Sequence, residues 1–252
     1  MNILITNDDG ITSIGLEALV RELSTTYQIF VAAPHSQQSG RAHALSIEER
    51  LYVHENAELQ KKYNVRAVSV TGTPTDCVKL FLERIAVDEG IKIDAVLSGI
   101  NDGPNTGSDV LYSGTLGAAL EGYFHKLPSL AISRDFKSNI SFDQIARDIA
   151  NNLAKLLSYK ALLNINYPVE VKENYQYIWA KQGWRDYENA FVPNTDDKGK
   201  TYYKIGGDIV WADNHEFDDI EINLKHNVSI TPITIDWTDY QQPFLELGRS
   251  AL

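Results

Sequence analysis

Met1-Asn2-Ile3-Leu4-Ile5-Thr6-Asn7-Asp8-Asp9-Gly10 opens the chain. Ile3, Leu4 and Ile5 form an uninterrupted apolar run, the pattern of a parallel-sheet strand buried on both faces. Asp8 and Asp9 fall where such a strand ends, at the edge where α/β sheets hold ligands. Adjacent carboxylates repel, and one resists ionising unless a cation lies between them; a hard divalent ion with oxygen ligands relieves that conflict. A plainer arrangement also suits the pair, with one Asp capping the next helix and the other in solvent.

The pattern repeats outward from this strand. Leu16, Leu19, Val20 and Leu23 recur at i, i+3, i+4 and i+7, one face of a helix. Residues 29–33 read as a second buried strand closed by Pro34. Residues 35–46 follow neither period and read as a long loop near a strand end, where function concentrates. After a strand at 65–70, Thr73, Pro74 and Asp76 supply an N-cap, an N1 proline and an N3 carboxylate for a helix that buries Val78, Phe81, Leu82 and Ile85. Residues 93–97 form a strand followed by a Gly- and Asn-rich loop, 98–107. Tyr112-Ser113-Gly114-Thr115 leads into a small-residue helix through Leu116, Ala119, Leu120 and Tyr123. A strand at 130–133, a helix opened by a Ser141 and Gln144 capping box, and a strand at 161–166 complete the series to Pro168. Such alternation predicts an α/β fold on a mostly parallel sheet.

Composition narrows the function. A net charge of −11 argues against a general nucleic-acid surface, which needs clustered Lys and Arg, so any phosphate site is local. Cys77 is the only cysteine, which excludes an intrachain disulfide and a Cys-based zinc cluster. No apolar run reaches membrane-spanning length and the first residues lack a secretory pattern, so the expectation is a cytoplasmic protein without a membrane partner.

Beyond Pro168 the texture changes to aromatic, alternating segments such as Tyr175-Gln176-Tyr177-Ile178-Trp179 and Tyr202-Tyr203-Lys204-Ile205, which read as β-hairpins. All four tryptophans, Trp179, Trp184, Trp211 and Trp237, lie here. An isolated ribbon with aromatic residues on both faces needs a partner, so residues between about Tyr175 and Trp211 are expected to cross a subunit interface. The whole chain, 1–252, reads as one domain with an α/β core at 1–168 and a β-rich oligomerisation extension at 169–252.

In a parallel sheet, loops that follow strands share one edge, so Asp8, Asp9, Ser39 and Asn101 can converge. Two carboxylates, a hydroxyl and an amide carbonyl are oxygen donors suited to Mg²⁺ or Mn²⁺. Ser113-Gly114-Thr115 at a helix N-terminus offers N–H groups to an anion. A metal beside a helix end points to phosphate chemistry.

Several segments together resemble the SurE family. They are Asn2-Ile3-Leu4-Ile5-Thr6-Asn7-Asp8-Asp9-Gly10-Ile11, Gly72-Thr73-Pro74-Thr75-Asp76-Cys77-Val78, Ser98-Gly99-Ile100-Asn101 and Tyr112-Ser113-Gly114-Thr115-Leu116-Gly117-Ala118-Ala119, with Leu163-Asn164-Ile165-Asn166-Tyr167-Pro168 and Val228-Ser229-Ile230-Thr231-Pro232 near the end. The resemblance implies a three-layer, Rossmann-like α/β/α fold and a metal-dependent 5′-nucleotidase acting on nucleoside 5′-monophosphates, with 3′-monophosphates and short polyphosphate as further substrates. It implies one divalent ion on Asp8, Asp9, Ser39 and Asn101, and phosphate near Asn105, Ser113, Gly114 and Thr115. It also implies a homodimer or homotetramer that exchanges C-terminal elements. Arg41, Asp218 and His226 depart from the commonest pattern, His226 standing where Gly is common.

The residue types suggest how the reaction runs. A metal held by Asp8 and Asp9 polarises the phosphate and acidifies a water that attacks in line, while the helix end stabilises the growing charge. An aspartyl-phosphate route of the haloacid-dehalogenase kind needs Asp-x-Asp, and the third position here is Gly10. His43 is a candidate substrate contact and leaving-group acid. A dinucleotide oxidoreductase is disfavoured, because the first turn lacks Gly-x-Gly-x-x-Gly and an Asp pair would repel pyrophosphate.

Overall fold

A computed structural model describes residues 1–172, 174–211, 215–236 and residue 238; Trp237 lies outside them. The central strands are β1 (Asn2–Thr6), β2 (Gln28–Pro34), β3 (Val53–Glu55), β4 (Arg66–Val70), β5 (Ala95–Asp102), β6 (Ser129–Arg134), β7 (Leu162–Tyr167), β8 (Tyr177–Trp179) and β13 (Val228–Ile233). They form one sheet in the order β3-β4-β2-β1-β5-β6-β7-β13-β8. Pairing is parallel except where β3 meets β4 and β13 meets β7.

The first strand shows why the fold is layered. Ile3 and Ile5 pack on one face with α1 (Ile14–Leu23) and α6 (Phe142–Ser158), through Leu16, Leu19, Ile145 and Ile149. Leu4 points the other way, to Val78 of α3 (Pro74–Leu80), Phe81 and Ala118 of α5 (Gly114–Phe124). All three β1 side chains are fully buried, so the apolar run of the sequence is the middle layer of an α/β/α sandwich. Smaller elements fill the margins: α2 (Ala57–Tyr63), α4 (Ala86–Asp88), which follows α3 through a π-helical turn at Phe81–Ile85, and α7 (Asp219–Leu224). Among the described residues no helix is long and apolar enough to cross a membrane.

Local chemistry sets the ends of these elements. Thr73 and Asp76 make the reciprocal capping box that their spacing predicts, with Pro74 in the first turn. Ser141 caps α6 by accepting from the Gln144 N–H at 3.1 Å. His226 takes φ 64°, the left-handed conformation that glycine adopts without strain, which is the physical reason for glycine at such a position.

Two readings need correction. Residues 98–102 are not loop: β5 runs through Asp102, and Asn101 stands on a strand beside Ser133 of β6. The unbroken apolar run stops at Leu97, but the strand continues through Ser98, Gly99 and the fully buried Ile100, with the pairing register shifting between Ser98 and Asn101. Gly99, at φ 137°, makes the shift possible, since a Cβ there would lie 2.3 Å from the Ile132 carbonyl oxygen. Second, Tyr177–Trp179 is not a hairpin arm; it pairs in parallel with β13 and becomes the sheet's last strand. β3 and α2 lie between the loop at 35–46 and β4, in a stretch to which the sequence pattern assigns no element. Their cause is tertiary, since β3 is exposed along its length and exists by pairing with β4.

Two ribbons stand outside the sheet. β10 (Phe191–Thr195) pairs with β11 (Thr201–Ile205) as a hairpin, in the region where one is expected, and β9 (Arg185–Glu188) pairs with β12 (Asp208–Trp211). Phe191, Tyr203 and Ile205 are 66%, 66% and 86% exposed on that hairpin, a bare apolar surface.

One polar knot ties the later residues to the earlier ones. Tyr167, Tyr175 and Tyr177 all donate to Asp148 Oδ2 of α6, at 2.8, 2.6 and 2.6 Å. Replacing Asp148 by Ala strands these hydroxyls, and urea denaturation should show a loss of about 2 kcal/mol. An unchanged midpoint would mean that water satisfies them equally well.

Candidate active site

The site forms where the connectivity of the sheet reverses. From β1 the chain turns to β2 on one side and later returns to β5 on the other, so a crevice opens between the ends of β1 and β5. Asn7, fully buried, builds the turn after β1: its amide donates to the Gly10 carbonyl at 3.0 Å and to Ser13 Oγ at 2.8 Å, and accepts from the Gly10 N–H at 3.1 Å. That turn leaves Asp8 and Asp9 at the crevice.

A cavity of about 230 Å³ lies there, and Asp8, Asp9, Ser39, Asn101, Asn105 and Ser113 all line it. The structure thus brings together residues drawn from four separate segments. Asn101 donates its amide N–H to the Gly103 carbonyl at 2.8 Å, which leaves the side-chain oxygen for another partner. Ser39 is exposed on the loop after β2, its hydroxyl accepting from Gln37 at 3.0 Å.

Gly114 and Thr115 stand behind the cavity and shape Asp8. Thr115 Oγ1 donates to Asp8 Oδ1 at 2.6 Å, and a Cβ on Gly114 would lie 2.9 Å from the Asp8 Cβ. The helix end and the first carboxylate are therefore in direct contact, which requires glycine at 114. Ser113 Oγ accepts from the Leu116 N–H at 3.0 Å, so the hydroxyl is spent on capping, and the Thr115 N–H turns to the Asp8 carboxylate, which leaves the Gly114 N–H of this helix end for a further anion. Asn105 is locked by three neighbours: its side chain donates to Ser133 Oγ at 2.8 Å, its N–H to Asn166 Oδ1 at 2.8 Å, and its carbonyl accepts from Asn164 at 2.8 Å.

His43 stands apart from this cavity. Its Nε2 lies 2.8 Å from Glu121 Oε2, and its ring lines a larger, mostly apolar cavity of about 850 Å³ next door. The two cavities share Tyr112 and Ser113.

Sequence reasoning missed Asp102 and Asp109, which also line the smaller cavity. Asp102 follows Asn101 directly, and reading the strand to its true end would have flagged it. Asp109 gave no local signal: Arg185 of β9, distant in sequence, places it by donating at 2.8 Å, with Tyr187 donating at 2.6 Å.

Charge decides what this arrangement can hold. Arg134 pairs with Asp102 at 2.9 Å and Arg185 with Asp109, so the two outer carboxylates are neutralised. Among the described residues no Lys, Arg or His pairs with Asp8 or Asp9. Burial pushes the Asp8 carboxyl up to about 6, against the Thr115 hydrogen bond that lowers it, and the Asp9 charge adds to the rise. Asp9 is raised as well, by burial first and by the charge of Asp102. Two carboxylates held together without a counter-charge, beside a hydroxyl and a free amide oxygen, fit a hard divalent cation.

A second acidic group is a poorer host. Glu83, Glu121 and His125 bring three ligand atoms within 4.8 Å of one another. The Lys79 ammonium already sits there, 2.6 Å from Glu83 and 3.3 Å from Glu121, so an arriving cation would have to displace it.

A sequence profile described as Survival protein SurE matches residues 3–189. The chain belongs to the SurE family. It is 40% identical over 247 residues to a 5′-nucleotidase SurE of Syntrophomonas wolfei, covering 95% of this chain and 91% of that one. A 5′-nucleotidase SurE of Natranaerobius thermophilus is 36% identical over 249 residues, with 95% of each covered. A crystal structure of the SurE protein from Aquifex aeolicus matches with a TM-score of 0.77 at 35% identity, covering 96% of each chain.

The SurE site of this chain carries a stability cost that can be measured. A carboxyl whose pKa rises on folding favours the fold while protonated, and that contribution is lost as pH climbs from 3.8 through about 6. In metal-free protein, Asp8→Asn should therefore stabilise by on the order of 2 kcal/mol at neutral pH, with the gain vanishing near pH 4. Melting curves in EDTA across that range test it; a gain that ignores pH would show that Asp8 is not the source.

Proposed function

We propose that this protein is a divalent-metal-dependent 5′-nucleotidase that hydrolyses nucleoside 5′-monophosphates to nucleoside and phosphate. Two supports come from outside and inside the molecule: the names of the SurE relatives, and the uncompensated Asp8–Asp9 pair facing a helix N-terminus. The second carries the mechanism. In this reading Asp8, Asp9, Ser39 Oγ and Asn101 Oδ1 hold one ion. A bound Mg²⁺ or Mn²⁺ supplies Lewis acidity to the phosphate and lowers the pKa of water.

The protein's own groups do the rest. Asp8 is fixed by Thr115 and Gly114, so its free oxygen Oδ2 has a defined direction. Asp9, half-buried, is the better placed of the two to take a proton from the attacking water. The Gly114 N–H and the positive end of α5 stabilise charge on the equatorial phosphate oxygens. Asn105, held rigid by Ser133, Asn164 and Asn166, presents its side chain to the same anion. The nucleoside extends over Tyr112 into the adjoining apolar cavity, where His43 meets it rather than the phosphate. Asp8 and Asp9, the two cavity carboxylates without an arginine partner, repel a free nucleotide, so phosphate would enter with the cation in place.

Hydrolysis of nucleoside monophosphates with and without EDTA tests the reading. Asp8→Asn and Asp9→Asn should each lower turnover by at least about 100-fold, since each removes an anionic ligand. Ser39→Ala and Asn101→Ala should need more metal for half-maximal activity. Full activity in EDTA, or a trapped aspartyl-phosphate on Asp8 or Asp9, would replace metal-activated water with another route.

The β10–β11 hairpin supports self-assembly into a dimer or a dimer of dimers, because its exposed Phe191, Tyr203 and Ile205 need cover. Asn189 and Gly207 already have positive φ, 52° and 110°, and Glu188 pairs with Asp208. Deleting residues 190–206 joins them as an Asn-Gly turn suited to a two-residue hairpin. Light scattering should show a smaller species that keeps its nucleotidase activity. An unchanged mass would place the interface elsewhere.

A further inference from the structure

Glu121 is a buried carboxylate, 3% exposed, in the middle of α5 and outside the cavity that Asp8 lines. Burying it is costly unless its partners repay the lost hydration. Those partners are His43 at 2.8 Å, Lys79 at 3.3 Å and His125 at 3.4 Å. His43 belongs to the loop that carries Ser39, and the same loop touches α5 at a second point. A Cβ on Gly117 would lie 2.1 Å from the Ala42 carbonyl oxygen, so backbone rests on backbone there. Gly117 and Glu121 are one turn apart, and together they form a seat for residues 42 and 43.

Other contacts continue the attachment. Ala42 N–H donates to the Tyr112 carbonyl at 3.1 Å, Thr73 Oγ1 to the Ala44 carbonyl at 2.7 Å, and Ser46 N–H to Asp76 Oδ1 at 3.1 Å. On the other side of Ser39, Gln38 N–H donates to the Asp8 carbonyl at 2.7 Å. Ser39 is thus the exposed crest of a short span pinned at 38 and at 42–43. Its position relative to Asp8 and Asp9 depends on both pins.

We propose that Glu121 is a positioning residue for the cation site: by holding His43 on α5 it fixes the span that presents Ser39, on the same helix whose N-terminus contacts Asp8. This rests on the reading of Asp8, Asp9, Ser39 and Asn101 as the cation's ligands. One helix then sets both sides of the site, through Thr115 and Gly114 at its start and through Gly117 and Glu121 further along. The capping residues Thr73 and Asp76 have a second task in this scheme, holding the far end of the same loop.

The test measures Mn²⁺ binding to full-length protein by isothermal titration calorimetry, alongside the metal and nucleotide dependence of hydrolysis. Glu121→Gln, which keeps size and loses charge, should weaken Mn²⁺ binding and raise the metal needed for half-maximal activity by about 3- to 10-fold, with little change in nucleotide KM. Gly117→Ala, which favours the helix but pushes Ala42 away, should do the same without altering any charge. Combined with Ser39→Ala, neither should add its full effect, because all three act through one ligand. Wild-type Mn²⁺ affinity in both variants, with only the melting temperature or the nucleotide KM changed, would overturn the positioning role and leave the nucleotidase reading standing. A wild-type protein that neither binds Mn²⁺ nor needs metal for hydrolysis would end both.

Discussion

Asp8 and Asp9 repel each other at the end of a buried strand, and much of the surrounding structure is arranged to keep them there. Asn7 locks the turn that delivers them, Thr115 donates to Asp8, and Gly114 lacks a side chain so that Asp8 can lie against the helix end. The outer carboxylates of the cavity have arginine partners, whereas this pair has none among the described residues. A fold selected for stability alone would supply a lysine or remove one carboxylate. In the proposed reading a divalent cation would resolve the conflict and then recruit the phosphate that the unpaired carboxylates repel.

The second constraint is geometric. A hard cation accepts oxygens only at fixed distances, so its ligands must come from segments that do not move relative to one another. Here the Asp pair follows β1, Asn101 stands on β5 next to it, and Ser39 lies on a loop clasped by α3 and α5. Strand pairing fixes the first three. Ser39, the fourth ligand in the proposed reading, stands on an exposed loop and depends on the anchors at Thr73 and Glu121 for its position.

Much of this was legible in the residues. The apolar run at Ile3, Leu4 and Ile5 reads as a doubly buried strand because parallel sheets bury both faces, and Thr73, Pro74 and Asp76 announce a helix start by their own hydrogen bonding. The rule that loops after parallel strands share one edge is enough to group Asp8, Asp9, Ser39 and Asn101. The illegible parts share a cause: they depend on contacts between distant segments. β5 continues past Leu97 because Gly99 lets it pack against Ile132, and β8 is a strand because β13 lies beside it. His43, read as a substrate contact or leaving-group acid, faces Glu121 seventy-eight positions away, a partner that no local pattern could reveal.

The later residues are less separable from the site than their texture suggests. Arg185 of β9 donates to Asp109 at 2.8 Å and to Thr106 at 3.1 Å, so the extension reaches the cavity wall directly. Asp219 of α7, buried, accepts from the N–H groups of Gly107 and Gly183 at 3.1 and 3.0 Å, tying the same wall to the chain just before β9. Burial raises the Asp219 carboxyl, and those N–H groups pull it back toward the ionised form in which it can hold them. Removing all of residues 175–211 would therefore strip the brace from residues 105–112 along with the exposed hairpin. Only the part beyond Asn189, which touches solvent on both sides, separates assembly from chemistry.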